Sequence, residues 1–283
     1  MNWAFMANSS FDYGQDTVGN TTGIAIELNQ PKWALRYTFF QMPDMKNGFT
    51  GDDQYLMWPA RGKYGPFLKS WAMAAELERR YSFNHHPGTV RLLEWLDQAK
   101  FVNYSVATAY LLANPPGPNP PAGSGADVPD SLRSYHFKYG FGLNWEQAVA
   151  PNVGLFSRLG WNDGRQESWT FTDVNYTASL GLSAKGQLWH RPHDTFALAG
   201  VVSGASRANR RFLEAGGEDI LDGDGKLNYG WEKVIEAYYD FSVWKNTHLT
   251  LDYQFVDNPA FNRDRGPVSI FGARVHWEFG LPR

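Results

Sequence analysis

Apolar and polar side chains alternate along most of this chain, and the pattern persists over stretches of about ten residues. In the clearest stretch, residues 135 to 145, aromatic or leucine side chains occupy every second position, and Lys138 lies on the opposite face. The same period returns over residues 235 to 243 and 249 to 255. A period of two predicts strands whose two faces meet different surroundings.

This pattern predicts an all-β chain of about twelve strands in one domain, residues 1–283. The predicted strands are residues 2–7, 21–29, 32–41, 70–82, 88–98, 134–147, 152–161, 175–187, 194–203, 232–244, 247–257 and 268–279. Some connections allow tight turns, whereas residues 42–69, 99–133 and 204–231 are long and rich in Gly, Pro, Asn and Asp. Within the long connections, two short helices are predicted, over Tyr104 to Ala113 and Ser206 to Ala215.

The length of these strands favours an antiparallel transmembrane β-barrel of the outer-membrane porin type, whose strands need about 9 to 11 residues. The chain contains 12 Trp, 14 Tyr and 19 Phe, which suit aromatic girdles at two membrane interfaces. A mean hydropathy of -0.46 and the absence of a run of about 20 apolar residues argue against membrane-spanning helices. We therefore expect lipid on the apolar face of each strand and a polar lumen on the other.

Charge and cysteine content exclude several functions. The net charge is -3 and no basic stripe stands out, so the sequence gives no reason to expect nucleic-acid binding. The chain has no Cys, which excludes disulfides and thiolate metal sites. No Gly-x-Ser-x-Gly elbow or comparable signature occurs, so we expect no enzymatic activity and no cofactor.

Several short motifs resemble those of a known family. They are Gly160-Trp-Asn-Asp-Gly-Arg165, Gly223-Asp-Gly-Lys-Leu-Asn-Tyr-Gly230, Leu249-Thr-Leu-Asp-Tyr-Gln254, Asn258-Pro-Ala-Phe-Asn-Arg-Asp-Arg-Gly-Pro267, Glu27-Leu-Asn-Gln-Pro31 and Glu76-Leu-Glu-Arg-Arg-Tyr81. In order and spacing, over nearly the whole chain, they resemble the carbohydrate-selective porins of the OprB family.

The resemblance implies a single-chain barrel of about sixteen strands in the bacterial outer membrane, through which sugars diffuse. Members of the family are longer at the N-terminus, and the first residues here show no basic segment followed by an apolar run. We therefore expect this chain to lack a signal peptide and the first strands of the barrel, although twelve strands could also close as a smaller barrel.

The charged residues opposite the apolar faces are the candidates for lining the pore. They are Arg36, Glu76, Glu78, Arg80, Lys138, Arg158, Glu236, Asp240, Asp252, Arg274 and Glu278. Neighbouring charges of both signs can donate to and accept from sugar hydroxyls while their charges largely cancel. The alternative for any one of them is pairing across neighbouring strands, which would stiffen the wall.

Acidic residues near position 220 invite a calcium interpretation. Asp219, Asp222 and Asp224 accompany two glycines, but lysine occupies the fifth and twelfth positions counted from Asp222, where an EF-hand loop needs oxygen ligands. An Asp-Gly turn is the preferred interpretation, and no metal site is predicted.

Two other functions remain open from the residues alone. A barrel with a plugged lumen could bind a polysaccharide or a partner through its outer loops, and a soluble β-sandwich could pack the aromatic faces against each other. The porin hypothesis names sugars and outer-membrane lipid as the partners of the chain.

Overall fold

The computed structural model describes residues 3–5, 10–14, 22–42, 68–115, 128–169, 172–219, 222–223 and 225–279. In these parts of the chain, eleven antiparallel strands form one sheet, and each strand pairs with the next in sequence. The all-β antiparallel class predicted from the alternation is confirmed.

The strands follow the predicted order. They are β1 (Gly23–Gln30), β2 (Trp33–Gln41), β3 (Trp71–Phe83), β4 (His86–Phe101), β5 (Ser134–Ala150), β6 (Val153–Asn162), β7 (Tyr176–Lys185), β8 (Thr195–Gly204), β9 (Glu232–Trp244), β10 (Thr247–Asp257) and β11 (Val268–Trp277). Eleven of the twelve predicted strands are thus confirmed, with ends that differ by a few residues.

At one end of the sheet, two-residue turns join four pairs of strands, and residues 186–194 join β7 to β8. The turn between β3 and β4 places Asn84 and His85 at φ values of 48° and 64°. Positive φ at two successive residues matches the right-handed twist of the strands that leave the turn. The long connections all lie at the opposite end, as the contrast in loop length predicts.

The prediction of a strand over residues 2–7 is wrong. Trp3–Phe5 form a short 3-10 turn instead, and residues 2, 6 and 7 lie outside the described residues. Phe5 is 2% exposed and packs against Ala199, Val201 and Val234 of the sheet. Its apolar side chain is therefore covered by the face of the sheet and not by a neighbouring strand.

Both predicted helices are present, as α1 (Tyr104–Ala113) and α2 (Arg207–Glu214). Each begins at a residue whose side chain accepts a backbone N–H: Asn103 from Ser105 at 3.0 Å, and Ser206 from Asn209 at 3.0 Å. The helices pack together beyond the ends of the strands, and further 3-10 turns span Asp130–Leu132, Gly186–Trp189 and Pro259–Phe261. None of the helices in the described parts of the chain has the length and apolar run needed to cross a bilayer.

The described strands do not close into a ring. Within them, β1 pairs only with β2 and β11 pairs only with β10. All residues of these two outermost strands are exposed. A smaller closed barrel is therefore not what these eleven strands form, and each outer edge offers a row of backbone donors and acceptors.

Candidate functional site

The strand register sorts the side chains onto two faces of the sheet. Leu77, Leu92 and Leu143 are cross-strand neighbours on one face and are 50%, 44% and 36% exposed. On the other face, Glu78 lies opposite Arg91. We call these the outer face and the inner face. Exposed apolar side chains on the outer face are what contact with lipid requires.

A network of charged side chains crosses the inner face from β1 to β5. We call it the Glu78 cluster, and its members are Glu27, Arg36, Glu76, Glu78, Arg80, Arg91 and Glu146. The sequence predicted four of them as pore residues. Arg91 was not predicted, because Leu93 and Trp95 share its face of β4 and obscure the alternation.

Glu78 is the centre of this cluster. Its carboxylate accepts from Arg80 Nε at 2.6 Å, from Arg91 Nε at 2.8 Å and from Arg36 Nη1 at 3.0 Å. Its side chain is only 5% exposed. Three guanidinium groups around one buried carboxylate fix the centre of the wall, because each charge-assisted bond restrains both partners.

The margins of the cluster are open. Arg36 also binds Glu76 at 2.7 Å and Glu27 at 3.3 Å, and Arg91 binds Glu146 at 3.0 Å. The side chains of Glu27 and Glu146 are 49% and 48% exposed. Carboxylate oxygens at the margins therefore remain available to a solute, while the centre holds their guanidinium partners in place.

Arg158 continues the same row on β6. It lies opposite Asn144, which in turn lies opposite Arg91. Its guanidinium forms no hydrogen bond or ion pair with any described residue and lies 5.4 Å from the ring centre of Phe156. It is thus a cation of the inner face whose five donors are not engaged by any described residue and can bind a solute.

A second polar region occupies the inner face of β7 to β11. It is a concave pocket of about 510 Å³, and its lining includes Lys185, Glu236, Tyr238, Asp240, Thr250, Asp252, Gln254 and Arg274. Asp240 accepts from Thr250 at 2.9 Å and contacts His248 at 2.8 Å. We call this region the carboxylate pocket.

The predicted pore residues therefore fall into separate groups. Arg36, Glu76, Glu78 and Arg80 lie in the Glu78 cluster, with Arg158 beside it. Glu236, Asp240, Asp252 and Arg274 line the carboxylate pocket, although Glu236 is only 1% exposed. Glu278 lies just beyond β11, exposed and 3.0 Å from His276. Whether any of them binds a sugar stays a prediction.

Lys138 occupies a different environment on the same face. Its side chain is fully buried, and its ammonium donates to Asp12 at 2.7 Å and to the carbonyl of Glu167 at 3.0 Å. In this arrangement it cannot touch a passing solute. The sequence pattern placed Lys138 on the correct face but gave no sign that residues 10–14 cover it.

Beyond the strands, the long connections form a packed outer end. Tyr104 of α1 lies 5.2 Å from Phe212 of α2 between ring centres, and its hydroxyl donates to Asp219. Burial and the nearby carboxylate raise the pKa of Tyr104 well above its usual range. Burial beside Asp173 also raises the pKa of Asp222 well above normal, so this carboxyl favours its neutral form.

The calcium interpretation gains nothing from this packing. In the described part of the chain, no group of three or more His, Cys, Asp or Glu side chains is placed to hold a metal ion. Asp224, one of the three aspartates that suggested calcium, lies outside the described residues.

At the opposite end, the connection between β7 and β8 is closed by Asp194. Its buried carboxylate accepts from Arg191 Nε at 2.5 Å, from the hydroxyl of Tyr239 at 2.8 Å and from the backbone of Ser242 at 3.0 Å. Burial opposes ionisation, but these donors outweigh it and lower the pKa of Asp194 to about 2. One ionised side chain thus ties this turn to β9.

Antiparallel strands of this length, apolar outside and charged inside, define the wall of a transmembrane β-barrel. The sequence model of the carbohydrate-selective porin, OprB family, matches residues 1–279. The chain belongs to this family, and as a porin it lies in the bacterial outer membrane.

A solved structure shows the same fold. The high-pH structure of OprB from Pseudomonas putida superposes with a TM-score of 0.64 at 18% identity, covering 91% of this chain and 58% of that one. The outer-membrane channel DcaP of Acinetobacter baumannii gives 0.47 at 12% identity, with 90% and 60% covered. This chain therefore spans about three fifths of the length of these two channels. No curated protein sequence matches it.

Proposed function

We propose that this chain forms most of the wall of a channel through which carbohydrates diffuse passively. The observation that carries the proposal is the Glu78 cluster, a mixed-charge network on the face of the sheet opposite to the apolar one. Membership of the carbohydrate-selective porin family supports the same conclusion.

The chemistry of the inner face suits neutral solutes rich in hydroxyl groups. Exposed carboxylates at Glu27 and Glu146 accept hydrogen bonds, and the guanidinium of Arg158 donates them. Because cations and anions alternate along the cluster, a passing ion meets both signs of charge within a few ångströms. A neutral sugar loses less hydration free energy than an ion does when it leaves water. The pore thus favours sugars through hydrogen bonding, without an energy source or a cofactor.

We infer that no bond of the solute is made or broken. A catalytic site needs a nucleophile, a base and an orienting group held together. The charged groups of the Glu78 cluster are instead engaged with one another, which suits binding and release.

Planar-bilayer conductance of the intact protein, with and without glucose or a maltooligosaccharide, tests the proposal. We expect discrete channels that added sugar partly blocks. In the Arg158→Met protein the block should weaken by about tenfold, because each lost charge-assisted hydrogen bond weakens binding by more than 1 kcal/mol. Channels that no sugar blocks, or the absence of channels, would contradict the proposal.

Arg79→Met is the matched control. Arg79 belongs to the same sheet and is exposed, but its position between Glu78 and Arg80 puts it on the outer face. Sugar block should be unchanged by this substitution. An equal loss in both variants would show that the effect of Arg158 is not specific to the inner face.

A second candidate function is a barrel whose packed outer end binds a polysaccharide or a partner. The packing of α1 against α2 supports it, because it creates an ordered surface beyond the strands. Deleting residues 104–113 separates the two functions. Lost adhesion with unchanged permeability would favour binding, whereas altered permeability with no change in adhesion would favour the channel.

A further inference from the structure

The described residues near the N-terminus lie on the inner face of the sheet. We call residues 3–5 and 10–14 the inner segment. Phe5 packs against β8 and β9, whereas Phe11 lies 5.8 Å from Trp95 of β4, measured between ring centres. Since Trp95 belongs to the inner face, the inner segment crosses that face at more than one strand.

Close contacts hold residues 10–14 flat against the sheet. The side-chain amide of Asn162 on β6 donates to the carbonyl of Ser10 at 3.0 Å. A Cβ added at Gly160 would overlap the side chain of Ser10, and one added at Gly14 would overlap Ala72 of β3. Small residues on both sides therefore let the inner segment approach the strands without space for a solute between them.

Lys138 anchors this part of the inner segment by charge. Its ammonium lies 2.7 Å from Asp12, and neither side chain is exposed. The same carboxylate oxygen of Asp12 accepts the backbone N–H of Trp169 at 2.7 Å. Removing one partner of a buried ion pair costs much more than removing one partner of an exposed pair.

A second buried carboxyl group lies beside this ion pair. Asp97 lies directly opposite Lys138 in the strand register, is 1% exposed and also faces Asp12. Its Oδ2 atom has no hydrogen-bond partner among the described residues. Removal of the ammonium would leave the buried carboxylate of Asp12 without its cation and beside the buried carboxyl group of Asp97.

We propose that Lys138 is a positioning residue of the channel, which holds residues 10–14 across the inner face so that this segment sets the upper size of the solutes that pass. The inference rests on the proposed sugar channel. It assigns to Lys138 a role through Asp12 and the inner segment, without contact with the solute.

Liposome swelling with sugars of increasing size tests the proposal. The intact protein should pass glucose much faster than raffinose. In Lys138→Met we expect the rate for raffinose, relative to glucose, to rise about tenfold, because permeation falls steeply as a solute approaches the pore radius. An unchanged ratio in a folded Lys138→Met protein would overturn the proposal.

Lys233→Met is the matched control for the loss of a lysine. Lys233 is exposed at the start of β9 and pairs with Asp257 at 2.9 Å on the outer face, whereas the inner segment lies on the inner face. The ratio of the two swelling rates should stay at the value of the unmodified protein. A rise equal to that of Lys138→Met would also overturn the proposal.

A disulfide gives a test that does not depend on how well Lys138→Met folds. A Cβ at position 160 would lie 3.3 Å from the Cβ of Ser10, close to the span of a disulfide, and the chain has no other Cys. Oxidised Ser10→Cys/Gly160→Cys should keep the size limit of the unmodified protein, and it should restore that limit when Lys138→Met is added. Faster raffinose entry in the oxidised protein would show that the inner segment is not the limit.

The experiments distinguish a failure of the proposed sugar channel from a failure of the role proposed for the inner segment. If the unmodified protein admits no sugar, the proposed function fails. If it admits glucose and excludes raffinose, but the size limit ignores Lys138 and the disulfide, only the role of the inner segment fails.

Discussion

Lys138 and Arg36 both lie on the inner face of one sheet and both neutralise carboxylates, yet their surroundings differ. The side chain of Lys138 is fully buried beneath residues 10–14, whereas Arg36 is 33% exposed and bridges three carboxylates. The same alternating pattern therefore produces two kinds of charged site. Where the inner segment covers the sheet, a charge fixes the backbone; where the sheet is open, charges remain within reach of a solute.

The largest effect should follow from breaking the covered site. Replacing Lys138 with Met removes the ammonium that pairs with the buried carboxylate of Asp12, and we expect the free energy of unfolding to fall by about 3 to 5 kcal/mol. Urea unfolding in detergent micelles, followed by tryptophan fluorescence, measures this loss. Lys138→Met combined with Asp12→Asn should recover part of it, because the buried charge that Lys138 neutralises is then removed as well. A loss below about 1 kcal/mol, the value usual for exposed ion pairs, would contradict this prediction.

In the Glu78 cluster, the loss of stability caused by a substitution should fall steeply from the centre to the margin. Glu78 holds three guanidinium groups and is nearly buried, so Glu78→Gln should lower the free energy of unfolding by about 2 to 3 kcal/mol. Glu146→Gln removes one exposed partner of Arg91. It should lower the free energy of unfolding by about 0 to 1 kcal/mol, as is usual for surface pairs. The same urea titration compares the two variants. Equal losses would mean that burial does not distinguish the centre of the cluster from its margin.

Asp194 shows what burial alone contributes to stability, because this residue is buried but lies outside the lumen. It is buried like Asp12 but lies in a turn, where its charge is held mainly by one arginine and two neutral donors. We expect Asp194→Asn to cost about 1 to 2 kcal/mol, the usual value for hydrogen bonds to a charged group.

The pH dependence of this contribution has a definite sign. The pKa of Asp194 falls from 3.8 to about 2 on folding, so the ionised form favours the folded state. Its stabilisation is complete above the unfolded pKa and disappears as the pH falls from about 4 to about 2. The difference in unfolding free energy between the unmodified and Asp194→Asn proteins should shrink over that range. A constant difference would contradict the assigned hydrogen bonds.

The sequence was most informative where each strand has two clearly different faces. Over residues 135–145 aromatic or leucine side chains alternate with polar residues and glycine without interruption, and β5 has the predicted faces. The short helices were predictable for a similar local reason, since Asn103 and Ser206 are residues that cap helices. In such segments, the local pattern alone determines the structure.

Prediction failed where a distant segment covers part of a strand. Trp95 places an apolar side chain on the inner face of β4, where Phe11 packs against it. Phe5 looked like part of a strand, since its apolar side chain gives no sign that its contact lies about 200 positions away, at Ala199 and Val201. Glycine at position 160 of the inner face was a local signal of close packing, because a Cβ there would overlap the side chain of Ser10.

The smallest effect on stability is expected from a substitution on the outer face, and it tests whether this face contacts lipid. Glu94 is exposed there, lies opposite Ala75 and Phe141, and has no hydrogen bond or ion pair with a described residue. It lies midway along β4 between Val90 and Gln98, which pair with the aromatic residues Trp145 and Phe137. A carboxylate at this depth costs energy in lipid, although less than Arg or Lys does.

We therefore expect Glu94→Leu to raise the free energy of unfolding by about 1 kcal/mol in lipid bilayers. Glu94→Gln is the matched control, because it keeps the shape and removes the charge, and it should recover part of this gain. Both effects should vanish for unfolding in a detergent whose micelle leaves the strand hydrated. If Glu94→Leu instead destabilised the protein or dissociated a native oligomer, this part of β4 would contact another protein, and the outer face would not be a uniform lipid surface.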